Sequence, residues 1–158
     1  MSNLLNGLPA VGSSCRSTGR TISEGEHMLL HNIFGAMTPL HVNKHYMSTQ
    51  PFGERLFGGS LLVGMMGAGW ATSDIYRRLV SDHGVRWTAA LGMEARFEKP
   101  FFPGNTLYME HSIDDVRESK SRPGYGVMKV GMTAENEHGD VCSRGILTAM
   151  FDRPDLTA

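Results

Sequence analysis

Hydrophobic positions along this chain keep a helical spacing from about Thr21 as far as His83 and Gly84, and a spacing of two after them. Ser23 followed by Glu26 forms a capping box, which predicts a helix over about 24–35 that Pro39 interrupts. A short helix is expected between Asn43 and Met47, before "QPFGERLFGG" turns the chain at Pro51, Gly53, Gly58 and Gly59. From Ser60 the pattern becomes one helix running to about Ser81, without a charge until Asp74 and amphipathic in "DIYRRLVSD". A helix that is apolar on all sides must be surrounded by protein. Gly64, Gly67, Ala68 and Ala71 keep much of its surface small, so a sheet can approach its backbone.

In "LGMEARFE", Leu91, Met93, Ala95 and Phe97 alternate with Gly92, Glu94, Arg96 and Glu98. "TLYMEHSID" repeats this through Leu107, Met109 and Ile113, and "VMKVGMTAE" through Met128, Val130, Met132 and Ala134. A last apolar segment runs from Val141 to Phe151, and "KPFFPGN", "SRPGYG" and "NEHGD" mark the turns. At least four antiparallel strands after one buried, small-residue helix are most economically arranged as an α+β hot-dog fold, a sheet curled around that helix. An open sandwich would leave one side of the helix polar, which its charge-free run argues against.

Composition narrows the partners. The 158 residues fit one domain, placed at 19–158, after a Ser-, Gly- and Asn-rich lead-in at 1–18 that reads as a flexible arm. Lys and Arg number 15 against 16 Asp and Glu, a net charge of −1 with the signs mixed, so bulk charge attracts no nucleic acid. The most apolar stretch, "GGSLLVGMMGAGWA", is shorter than the ~20 residues a membrane span needs. Cys15 and Cys142 lie far apart and no basic start with an apolar run precedes Arg16, so free thiols in a reducing cytoplasm are expected.

Three segments carry a resemblance: "MTPLHVNKHY", "FGERLFGGSLL" and "VRWTAALGMEARFEKPFFPGNTLYMEHSI". Over roughly residues 20 to 153 the chain resembles the MaoC-like dehydratase and (R)-specific enoyl-CoA hydratase family. "RESKSRPGYG" is similar to the branch containing itaconyl-CoA and mesaconyl-CoA hydratase-like proteins. The family's loop has an aspartate, any residue, asparagine, proline, any residue and histidine; here Ala36 takes the place of the acid, while Pro39 and His41 stand. Its histidine-glycine pair at the head of the central helix reads Gly58-Gly59.

The resemblance implies a hydratase/dehydratase acting reversibly on an α,β-unsaturated acyl-CoA thioester with a short, branched or dicarboxylic acyl group. Such chemistry needs a base for water, an acid for the α carbon and donors for the thioester oxygen. One neutral imidazole can serve as both base and acid near neutral pH. His41 is the candidate, and its other reading is a packed turn residue. The Gly59 N–H at the helix start is the candidate oxyanion donor, although the glycine pair alone could equally make a tight turn. Asn43 could orient the His41 ring or a water, or sit in a surface turn. Pro39, Gly58 and Ser60 are assigned to the substrate surface, and Lys99, Lys120 and Arg122 to coenzyme phosphates, with a solvated turn as the alternative for those three.

No cofactor beyond the coenzyme A of the substrate is implied. The His27/His31 and His41/His45 spacings do not by themselves make a metal site. A homodimer or larger assembly of dimers is expected, because hot-dog subunits leave sheet edges open. Two rivals share the fold. A thioesterase needs a carboxylate on the central helix, and none stands between Ser60 and Ser73; a thioester-binding subunit with impaired catalysis would fit the missing acid.

Overall fold

The computed structural model describes residues 4–154. Two short strands, β1 (Ser14–Arg16) and β2 (Arg20–Thr21), lead into α1 (Glu24–Ile33), where the Ser23 hydroxyl accepts the Glu26 N–H as the capping box requires. Pro39 opens a one-turn helix, α2 (Pro39–Val42). Asn43 ends it and caps α3 (Lys44–Met47), its Oδ1 accepting the Tyr46 N–H at 2.9 Å. The apolar segment forms α4 (Gly59–Ala71), followed by α5 (Asp74–Ser81).

Four long strands complete the chain: β3 (Arg86–Phe97), β4 (Thr106–Glu118), β5 (Gly126–Glu135) and β6 (Val141–Asp152). All pairings are antiparallel, in the order β1-β4-β5-β6-β3, and β2 also pairs with β4. α4 lies across β4, β5 and β6. Leu61, Leu62, Met66 and Trp70 on its inner face are buried with Ile113, Met128, Val130, Met132 and Leu147 of the sheet. This is the α+β hot-dog arrangement that the spacing predicts.

Three expectations are modified. The single helix to Ser81 is two helices, because Thr72 ends α4 and the Ser73 hydroxyl caps α5 by accepting the Tyr76 N–H at 3.2 Å. Nor is α4 enclosed on all sides: Ser60, Gly64, Ala68 and Ala71 form an exposed stripe, and the close approaches to its backbone fall at Gly59, Gly67 and Gly69. A Cβ at Gly67 would meet the Met93 methyl at 2.6 Å. Finally, the lead-in read as an arm is packed from Leu4 onward. Leu4 is buried, the Arg153 guanidinium donates to the Leu4 and Asn6 carbonyls, and Ser14–Arg16 is a sheet strand. Residues 1–3 of that lead-in lie outside the described residues.

The outer edge of β3 is unpaired among the described residues. Leu91 and Phe97 on this strand are 50% and 60% exposed, and the Phe97 ring lies against Gly59 at the head of α4.

Candidate active site

A cleft of about 530 Å³ opens where α2, the head of α4 and the end of β3 meet. His41, Gly59, Ser60 and Lys99, four of the residues singled out by sequence, all line it. Pro39 fixes the start of the turn that carries His41. The half-buried His41 ring donates from Nδ1 to the Leu56 carbonyl at 2.9 Å, since a carbonyl can only accept. That bond sets the tautomer and leaves Nε2 with its lone pair and no protein partner among the described residues.

At the head of α4, the Leu62 N–H is taken up by the Gly58 carbonyl at 3.0 Å, whereas the Gly59 and Ser60 N–H groups have no acceptor among the described residues. These are the donors that any helix leaves unsatisfied at its start. The Phe97 ring lies over Gly59, where a Cβ would stand 2.7 Å from its Cζ. Glycine at this position therefore keeps both the aromatic wall and the open N–H.

Behind the cleft stands a group of histidines that sequence reasoning weighed only as metal pairs. The rings of His27, His31 and His41 follow one another at a tilt, with centroids 4.2 Å apart for the first two and 4.8 Å for the last two. His27 and His31 are fully buried. His27 donates from Nε2 to the His41 carbonyl at 2.7 Å, and its Nδ1 is left without a partner. His31 donates from Nδ1 to the His27 carbonyl at 2.7 Å and accepts the Gly58 N–H on Nε2 at 3.1 Å. Burial lowers the proton affinity of both rings below the ordinary value of 6.5, so they are held neutral. Three of their four nitrogens are committed to the backbone, and among the described residues no group of three His, Cys, Asp or Glu side chains is arranged to hold a metal ion. The signal in the sequence was the i, i+4 spacing on the packed face of α1.

The cleft also holds Glu98, which alternation alone assigned to the outer face of a strand; Arg144 lies 3.3 Å from its carboxylate. Lys99 is ion-paired with Asp140, which holds the ammonium above its ordinary proton affinity. Cys142 is also at the wall, but burial pushes its thiol up to about 11, so no thiolate forms near neutral pH.

Other predicted residues lie elsewhere. Asn43 does not line the cleft, and its side chain is used as the α3 cap. Lys120 and Arg122 sit on the β4–β5 turn, Arg122 over the Tyr125 ring, at the opposite end of β4 from the cleft. Roughly 40 Å of strand separates the two ends. Ala36 opens on a neighbouring apolar groove of about 420 Å³ between α1 and α4, lined by Leu30, Phe34, Leu61 and Met65. Ser60 borders both cavities.

The MaoC like domain matches residues 9–136. The chain belongs to the MaoC-like dehydratase family. Solved structures show the same fold: a MaoC-like dehydratase from Rhodospirillum rubrum superposes with a TM-score of 0.75 at 21% identity, covering 92% of this chain and 94% of that one. An R-hydratase from Pseudomonas aeruginosa gives 0.67 at 21% identity, over 89% and 81% of the two chains. The 3R-hydroxyacyl-ACP dehydratase complex HadBC from Mycobacterium tuberculosis gives 0.73 at 15%, over 90% and 98%. A search of curated proteins gives no match.

Proposed function

We propose that this MaoC-like dehydratase adds water reversibly across the double bond of an α,β-unsaturated acyl-CoA thioester. The observation that carries the reading is the fixed tautomer of His41, whose bare Nε2 shares one cleft with the unpaired Gly59 N–H. In hydration, Nε2 takes a proton from water while the water oxygen bonds to the β carbon. The C=C electrons shift toward the thioester, and the resulting enolate oxygen is held by the Gly59 N–H and the helix start. The imidazolium then returns its proton to the α carbon. Dehydration reverses each step. A single oxyanion donor is worth about 10²–10³ in rate, and a positioned acid/base about 10²–10⁴.

The R-hydratase and hydroxyacyl dehydratase among the structural relatives support this reaction class. "RESKSRPGYG" supports a short, branched or dicarboxylic acyl group. Lys99 at the cleft wall supports a contact with a coenzyme phosphate, for which its ammonium would leave Asp140. The open edge of β3, with Leu91 and Phe97 exposed on it, supports a homodimer joined along this edge. A two-fold axis there reverses strand direction, so a second copy would bring its own far turn, with Lys120 and Arg122, to the level of this cleft. A thioester-binding subunit with impaired catalysis is the second reading, favoured by Ala36. Purified protein incubated with a panel of short enoyl-CoA thioesters decides between them: falling absorbance of the conjugated double bond with a product heavier by one water supports hydration. Tight binding without turnover supports the second reading, and free thiol release would mark a thioesterase.

A further inference from the structure

We infer that His31 is a positioning residue for this site, setting the Gly58–Gly59 turn and the His41 ring from behind the cleft. The inference rests on the hydratase reading for its kinetic consequence and on geometry for its substance. His31 is fully buried, so it cannot touch a substrate or exchange protons with water. Both its nitrogens have defined roles. Nδ1–H is anchored on the His27 carbonyl one helical turn earlier, and Nε2 is thereby a pure acceptor aimed at the Gly58 N–H.

That acceptor separates the first two donors of the turn into different tasks. The Gly58 N–H is taken, while the Gly59 N–H stays open at the cleft. Without His31 the Gly58 N–H would be buried and unpaired, a cost that a rotated turn could relieve only by moving Gly59 as well. Space is as tightly set as hydrogen bonding. A Cβ at Gly58 would stand 2.9 Å from His31 Nε2, so the imidazole fills the volume that a side chain at position 58 would need. The same ring lies against His41, whose carbonyl is held by His27. One pair of residues on α1 thus fixes both the base and the oxyanion donor.

The test compares His31→Leu, which removes the acceptor, with His31→Gln, which keeps one at similar reach. His31→Leu is expected to lower kcat about tenfold or more with KM changed less than about twofold, because the turn serves the transition state rather than ground-state binding. His31→Gln is expected to keep at least about half of the wild-type kcat. Equal losses in the two variants, or a loss confined to KM, would overturn the inference. Should His31→Leu fail to fold, Gly58→Ala carries the same comparison, since its Cβ must displace the ring; an unchanged kcat there would overturn it too. Nitrogen-15 spectra of the histidines in the wild type give a readout independent of turnover: His31 is expected protonated on Nδ1 and bare on Nε2, and a protonated Nε2 would overturn the inference. A wild type that hydrates none of the thioesters would sink the hydratase reading instead, leaving the spectra to decide the position of His31.

Discussion

Asn43 and Ala36 flank the proposed base in sequence, and their different placements give different expectations. Asn43 caps α3 through the Tyr46 N–H, so Asn43→Ala should lower unfolding free energy by about 0.5–2 kcal/mol while kcat stays near wild type. Urea denaturation with parallel kinetics checks this; an intact stability with a large kcat loss would restore Asn43 to the chemistry. Ala36 faces an apolar groove that meets the cleft at Ser60. An aspartate there, in Ala36→Asp, should preserve or raise hydration and add an acidic limb to the pH profile. Its carboxyl would titrate above the usual range, because Leu30, Phe34, Leu61 and Met65 line the groove. An unchanged profile would show that position 36 does not communicate with the cleft. His41 and Gly59 were legible through the family resemblance rather than through spacing, Lys99 through its place at a strand end, and the fold brings them to one cleft with Ser60. His31 was not, since its role depends on a contact 27 residues away that no local pattern encodes.

At the scale of elements, α1 carries two neutral, buried imidazoles, and this makes stability depend on pH. Burial lowers the folded-state proton affinity of His27 and His31 below 6.5, so the unfolded chain binds more protons than the folded one under mild acid. The sign follows from linkage: their contribution is complete above about 6.5 and is lost as pH falls below it toward the folded-state values. Unfolding free energy should therefore decline as pH is lowered from 7 toward 5, and decline less in His31→Gln. A flat curve for the wild type over that window would contradict the burial argument. His111, buried and likewise lowered, adds to the same slope. The strands were readable from alternation because one face of β4 and β5 packs on α4. The break between α4 and α5 was less so, as apolar residues resume at Ile75 after only three polar ones and a single cap at Ser73 divides the two. α4 itself, charge-free all round, is covered by the sheet on one side only.

That uncovered side belongs to the whole molecule. The stripe of Ser60, Gly64, Ala68 and Ala71, the exposed Leu91 and Phe97, and the free β3 edge are all left uncovered in one protomer, so sedimentation should show a dimer at micromolar concentration. Leu91→Lys should shift it toward monomer, and a monomeric wild type with full turnover would refute the shared interface. The central claim, however, is that His41 alone moves both protons. Its most direct test is kcat/KM for His41→Ala on the best thioester of the panel, followed by loss of the conjugated double bond. The variant is expected to lose nearly all hydration, because among the described residues the one carboxylate lining the cleft, Glu98, is paired with Arg144. Retention of more than about a tenth of wild-type kcat/KM, a loss below ~1.4 kcal/mol in transition-state stabilisation, would make His41 a structural residue and contradict the account.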